Sequence, residues 1–322
     1  MYSRGMIKPM PYRRFSERVE RQALEWHQNP VEQDWTVLDA VASRHHSTSP
    51  HWATKGDMTA VLKPGPDVLR DDWTADYAAT RELSDIFDDK RRQHVSEAPV
   101  AAIEKIASDM AYIAGLPVPP VALYRNPALD KTQPHHFACL SLNPFDGDII
   151  SGKSSLKHLE GDDLTGFIRA YSAMSVFKGW FDNTDPNLKN VIVDSKTYAA
   201  AFPDFSISSL AHWKAGKPFK ASYVVNEDVI SKQDVRNTFS IIQDISKGDI
   251  MDVVDNIPDD FLSGPDKELM YKGLLYRRDN LATLVQKSDL VLSGNTAESA
   301  ASLVIQRRQR IADVPEYDRF TV

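Results

Sequence analysis

One cysteine in 322 residues excludes an internal disulfide and fits a reducing compartment. Its setting, Phe137-Ala138-Cys139-Leu140, favours a buried structural thiol over a nucleophile. No apolar run approaches the ~20 residues that a membrane-spanning helix needs. The start of the chain carries Arg13, Arg14, Arg18 and Arg21 among Glu17 and Glu20, with no apolar signal-peptide core. These absences point to a cytoplasmic protein, with secretion by a signal-independent route as the alternative. Positive charge is in deficit: 38 Lys and Arg against 45 Asp and Glu leave a net charge of -7, whose field repels nucleic acid. No internal repeat is evident.

A hydrophobic share of 42% supports a substantial core, and the length suits one large two-lobed domain or two ordinary ones. Phe15, Val19, Ala23 and Trp26 recur at helical spacing and predict one amphipathic helix within residues 1–34, docked on the body of the protein. From Trp35 the pattern is strand-like. Trp35–Leu38, His51–Thr54 and Met58–Leu62, with a turn at Lys55-Gly56-Asp57, predict an antiparallel meander ending at Lys63-Pro64. Residues 64–98 are polar, with short helices expected around 74–90. A helix follows from about Pro99 to Ala114, with Ile103, Ile106, Ala107, Met110 and Ile113 on one face and a stop at Gly115. Val121–Tyr124 and Phe137–Leu140 read as two further strands.

Past Asn143 the chain turns helical. Leu164, Phe167, Ile168, Tyr171, Met174, Phe177 and Phe181 mark a long helix. Val235, Phe239, Ile242 and Ile245 mark another, ended by Gly248, and Asp249 is expected to cap the next. A last helix is expected from about Asp266 to Lys287, and residues 288–322 have weaker periodicity. Truncation after about Ser288 is therefore expected to leave nucleotide binding intact. Strands first and helices second imply an α+β architecture with a β-rich N-lobe and a helical C-lobe.

The segment Asn183-Thr184-Asp185-Pro186-Asn187-Leu188-Lys189-Asn190 leads into a strand at Val191–Val193, a turn at Asp194-Ser195-Lys196, a second strand and Phe202-Pro203-Asp204-Phe205. It presents a carboxylate at Asp185, an amide at Asn190 and, after a hairpin, a second carboxylate at Asp204. Phosphoryl transfer needs these parts: a carboxylate to accept the attacking hydroxyl's proton, and an amide with another carboxylate to hold magnesium at the nucleotide phosphates. Asn, Asp and Pro are also ordinary turn formers; the hairpin and the second carboxylate favour the chemical reading. The pairs His45-His46 and His135-His136 lack companions at metal-ligand spacing, and Arg307–Arg310 reads as a solvated helix face.

With Lys63, Glu104 ahead of Gly115-Leu116-Pro117-Val118-Pro119, Asp185, Lys189, Asn190 and Asp204 in this order, residues 35–287 resemble the HipA-like kinases. These are atypical kinases related in fold to phosphoinositide kinases. Asn256-Ile257-Pro258 and Arg277-Arg278-Asp279-Asn280-Leu281 resemble the family's C-terminal region. The resemblance implies a protein-kinase-like fold with an extension at 1–34, an N-lobe at 35–144, a C-lobe at 145–287 and a tail at 288–322. It implies ATP and Mg2+ as cofactors and a serine or threonine hydroxyl, on a protein, as acceptor. An antitoxin-like regulator is a possible partner of that family type. Lys63 is expected on the α- and β-phosphates with Glu104 positioning it, Asp185 and Lys189 are expected to be catalytic, and Asn190 and Asp204 to hold metal. Adenine is expected near Leu140–Pro144, with Leu140 and Ser141 in contact. A small-molecule or lipid kinase and a non-catalytic nucleotide-binding or interaction module (a pseudokinase) are the alternatives.

The chain departs from the family in two places. Asn187 stands where the family usually has histidine, and no glycine-rich phosphate loop is present. The segment Ser43–Pro50 takes that loop's place, and some kinases of this type regulate themselves by phosphorylating serines there. Ser47, Thr48 and Ser49 are the corresponding candidates.

Overall fold

A computed structural model describes residues 12–40, 50–64, 97–129, 136–181, 183, 188–205, 230–281 and 296–312 of the chain. The order of elements is the expected one, strand-rich first and helical second, in an α+β arrangement of two lobes. The short helices expected around 74–90, the histidines His45, His46 and His135, and Ser47–Ser49 lie outside the described residues.

Helix α1 (Glu17–Gln28) starts where the Ser16 side chain accepts from the Val19 N–H, and it buries Val19, Ala23 and Trp26. Strands β1 (Val31–Glu32), β2 (Thr36–Ala40), β3 (His51–Lys55) and β4 (Met58–Pro64) follow. Helix α2 (Glu97–Ala114) then precedes β5 (Val121–Arg125) and β6 (Phe137–Leu142). The six strands form one sheet in the order β1-β5-β6-β4-β3-β2. β1 pairs in parallel with β5, and the other pairings are antiparallel. β1 carries no sequence signal because two residues are too few for a period.

Alternation along the strands divides the sheet into two faces. Ala60, Leu62, Ala122, Tyr124, Ala138, Leu140 and Leu142 pack with Val19, Trp26 and Trp35 in one apolar cluster. Val121, Leu123 and Cys139 belong to the other cluster, with Ile103, Ile106, Ala107 and Met110 of α2. Lys63 follows Leu62 and pairs in register with Cys139, so its side chain leaves on the α2 side. Gly115 ends α2 at φ +68°; its N–H donates to Tyr112 O and that of Leu116 to Ala111 O, the paired bonds of a left-handed helix stop.

The second half runs through β7 (Ile149–Ser151), α3 (Gly152–Ser155), α4 (Gly161–Trp180), a 3-10 turn (Leu188–Asn190), β8 (Ile192–Asp194) and β9 (Ala200–Ala201). It continues with α5 (Lys232–Asp244), α6 (Lys247–Asp255), α7 (Gly264–Asp279) and α8 (Ala297–Ala312). β7, β8 and β9 make a second, three-stranded sheet. The expected turn after β8 forms because Asp194 Oδ1 accepts from the N–H groups of Lys196 and Thr197 at 2.7 and 2.9 Å. α5 ends before Ser246, which is itself the cap of α6; Gly248 lies inside α6, and Asp249 closes a reciprocal capping box instead of capping the helix alone. α7 ends at Asp279.

Part of the tail is helical and packed. Ala297, Ala300 and Ala301 of α8 are buried, and α8 packs on α4. Arg169 pairs with Glu298, and Arg308 Nη1 donates to Leu159 O at 2.8 Å. The small residues that weaken its apolar periodicity are the ones that let it approach α4.

The segment before α1 ties the two halves together. Tyr12 Oη donates to Asp234 on α5, burial and that carboxylate pushing its phenol up to about 12. Arg13 Nη1 donates to the carbonyls of Leu116 and Val118 at 3.2 and 3.0 Å, and Phe15 meets the Phe145 ring edge-on.

Candidate active site

The site starts from an alternation and a helix turn. Period-2 geometry sends Lys63 off β4 toward α2, where Glu104 projects from a helix buried between the sheet and the helical lobe. Lys63 Nζ donates to Glu104 Oε1 at 3.0 Å, with the Glu104 side chain 3% exposed and that of Lys63 20% exposed. Asp204 Oδ1 lies 4.0 Å from the same ammonium. Three of the expected site residues, from three separate parts of the chain, therefore meet at one point.

The electrostatics follow from that count. Burial alone would press the Lys63 ammonium down, but Glu104 and Asp204 together hold it above its ordinary value. The Glu104 carboxyl is pushed up, first by burial and then by Asp204, against the pull of Lys63. Two carboxylates share one ammonium, which leaves the point electronegative and suited to a further cation. Cys139, directly opposite Lys63 on β6, is buried, and burial pushes its thiol well up, so it stays neutral. It acts as a small packing residue, as its neighbours in sequence suggest.

Asp204 is delivered by the β8–β9 hairpin in a backbone conformation that L-residues rarely take, φ +76°. The chain around it is anchored on every side. The Phe202 N–H donates to Pro117 O at 2.9 Å. The fully buried Phe205 ring packs edge-on against Phe177 and Phe181, with centroids 5.6 and 5.8 Å away. Asn183 Nδ2 donates to Asp204 O at 2.7 Å, and the Phe205 N–H donates to Glu104.

Asn190 closes the 3-10 turn and is half-buried. This turn is seated by Gly152 at the start of α3: a Cβ there would lie 2.7 Å from Val191 Cβ and 3.0 Å from Leu188 O. The Gly152 N–H donates to Val191 O at 2.7 Å. Lys189 belongs to the same turn by its backbone, while its side chain, and the whole of Asp185, lie outside the described residues. Asn190 and Asp204 offer hard oxygen donors of the kind Mg2+ takes, and Asp204 belongs to an electronegative cluster, so these residue types fit that ion. Among the described residues no three His, Cys, Asp or Glu side chains stand together as a metal-binding group. His136 instead has Nδ1 2.8 Å from Leu129 O.

Leu140 and Ser141 sit differently from expectation. β6 runs between β4 and β5, so both residues have partner strands on either side and their backbone groups are committed to the sheet. A base edge would meet the chain only after it leaves the sheet at Leu142.

Sequence reasoning singled out Lys63, Glu104 and Asp204 but gave no role to Asn183, Gly152 or Phe205. Asn183 stood in the same loop, and a buried amide five positions before the 3-10 turn is invisible until its partner carbonyl is known. Lys105 and Asp109 were missed as well. They form an ion pair on α2 with side chains 0% and 4% exposed, and His27 Nδ1 lies 3.6 Å from Asp109. Their i,i+4 spacing has the form of an ordinary surface pair.

No helix among the described residues is long and apolar enough to cross a membrane. No protein-family model matches the chain, and no curated protein matches it. Among solved structures, it is similar to a Helicobacter pylori proinflammatory kinase, CtkA, at 11% identity and a TM-score of 0.49, over 86% of this chain and 98% of that one. The functional reading rests on this chain's own residues.

Proposed function

We propose that the protein is an ATP- and Mg2+-dependent phosphotransferase that moves the γ-phosphoryl group to a hydroxyl. The observation that carries this reading is Lys63 held 3.0 Å from Glu104 and 4.0 Å from Asp204. A lysine fixed by a helix glutamate is placed to hold α- and β-phosphate oxygens, and phosphoryl transfer is mostly positioning and charge stabilisation. Glu104 directs the ammonium, and the cleft next to Asp204 stays electronegative enough to accept a divalent cation. Asn190 and Asp204 would hold Mg2+, which when bound neutralises charge on the phosphates. Asp185 would accept the acceptor hydroxyl's proton as its oxygen bonds the γ-phosphorus and the bond to the β-phosphate bridge breaks, releasing ADP. Lys189 would offset charge on the transferred group. Adenine would lie along the segment after Leu142, where the chain leaves the sheet, and against the side chain of Ser141 on the Lys63 face, Leu140 pointing to the opposite face.

The finer reading, a HipA-like kinase acting on serine or threonine of a protein, is supported by the order and spacing of the sequence motifs. The test is pure protein with labelled Mg-ATP, offered itself, a cell extract and a lipid mixture. Phosphate on protein serine or threonine supports the full reading. Transfer only to lipid or a small molecule keeps the phosphotransferase and replaces the acceptor. Binding with no transfer to any acceptor marks a non-catalytic nucleotide-binding module, and no binding overturns the proposal.

A further inference from the structure

Asp204 and Phe205 share one peptide group, and that group is held at both ends. Its carbonyl accepts from Asn183 Nδ2 at 2.7 Å, and its N–H donates to the Glu104 carboxylate. One restraint comes from the segment before the 3-10 turn and the other from α2. Asn183 is itself fully buried, and its own N–H donates to Lys178 O at 2.9 Å, so the amide has little freedom to turn away. A backbone carbonyl can only accept, which fixes the donor end of the Asn183 amide on Asp204.

This arrangement bears on Asp204 directly. Rotating the 204–205 peptide changes ψ of Asp204 and therefore where its side chain is carried. A residue at φ +76° keeps that conformation only if its surroundings over-determine it. The Phe202 N–H and the Phe205 ring anchor the flanks, and Asn183 and Glu104 hold the peptide plane itself. Glu104 also holds Lys63.

We propose that Asn183 is a positioning residue for the metal-binding carboxylate: it pins the Asp204–Phe205 peptide so that Asp204 faces Lys63 and the bound cation. The proposal rests on the reading of Asp204 as a magnesium ligand. A buried amide that orients a ligand's backbone acts as an outer-shell partner, whose loss costs about 10- to 100-fold in metal affinity.

The test uses Asn183→Leu, which keeps the approximate shape and removes the donor, and Asn183→Ser, which shortens the reach. Nucleotide affinity is measured by calorimetry with and without Mg2+, and exchange of the Phe205 amide by hydrogen–deuterium exchange. Both variants should bind metal-free nucleotide as the wild type does, lose most of the gain that Mg2+ brings, and show faster exchange at Phe205. A folded variant that keeps the full Mg2+ gain and Phe205 protection overturns the proposal. The wild type alone is a second check: its Phe205 amide should exchange as slowly as core amides, and exchange at an open-loop rate overturns the pinning. If wild-type protein binds nucleotide with no gain from Mg2+, the metal role of Asp204 falls, and Phe205 exchange then decides separately whether Asn183 pins the peptide.

Discussion

Lys63 and Glu104 stand 41 residues apart in the chain and 3.0 Å apart in space. Neither position is remarkable alone, since a lysine at a strand end snorkels readily and a helix glutamate is usually solvated. Their meeting depends on β4 pairing with β6 in a register that sets Lys63 opposite Cys139, and on α2 packing across β5 and β6. A slip of one residue would turn Lys63 to the other face.

Removing either partner separates the reading from its rivals. Lys63→Met should weaken nucleotide binding at least about tenfold, equivalent to ~1.4 kcal/mol. Asp204→Ala should remove only the Mg2+-dependent part, while Asp185→Ala should leave binding intact and abolish transfer. Calorimetry with and without Mg2+, followed by a phosphate-transfer assay, checks all three. Wild-type transfer in both aspartate variants would remove the assigned loop from the chemistry.

The pH response has two signs. Burial, reinforced by Asp204 and opposed by Lys63, raises the Glu104 carboxyl, so the folded form holds that proton more tightly than the unfolded chain. Its contribution to stability is therefore complete below the ordinary value of ~4.3 and is lost as pH rises through the raised folded value. Nucleotide affinity should move the opposite way, rising as Glu104 ionises and pairs with Lys63. The Lys63 ammonium, held above its ordinary value, persists until strongly alkaline pH. Binding titrated from about pH 4 to 8 should show an inflection above the usual carboxylate range, absent in Glu104→Gln.

Gly152→Ala places a methyl against Val191 and Leu188 O at distances that ordinary contacts do not reach. The 3-10 turn carrying Asn190 must shift, at a cost of about 1–3 kcal/mol. A lower Tm together with a weaker Mg2+ effect is the expected result. Loss of stability with an unchanged Mg2+ effect would separate the turn from the metal site.

The Lys105–Asp109 pair is buried without solvent to screen it, and burial presses the lysine down against the attraction of Asp109. Asp109→Ala strands a buried cation and should cost about 3–5 kcal/mol. The double variant Lys105→Met, Asp109→Leu should recover most of that in urea melts. Recovery would mark the pair as a structural filler of α2 with no electrostatic part in the site.

Removing residues 296–312 should expose the face of α4 that Ala297, Ala300 and Ala301 cover, and leave Arg169 and Leu159 without their partners. The truncated protein should unfold at a lower temperature or precipitate. Unchanged thermal melting would show that the tail adds nothing to the helical lobe.

The elements were largely legible in the sequence because their signals are local. Val19, Ala23 and Trp26 define α1, Gly115 stops α2, and Asp194 turns β8 into β9 through bonds spanning a few residues. The sequence also determined the order of lysine, glutamate and the acidic loop residues, which is enough to suggest a phosphotransferase. It could not show that Ser246 caps α6, because two candidate caps three residues apart compete and the reciprocal bond decides. Nor could it show that α8 packs on α4, since a helix of small residues has little moment until its neighbour is in place. Only the tertiary structure decided that Leu140 and Ser141 are flanked by strands, that Lys105 and Asp109 are buried, and that one peptide after Asp204 is held by Asn183 and Glu104. Each depends on which surfaces pack together, and burial and hydrogen-bond partners are properties of the packed pair, not of either segment alone.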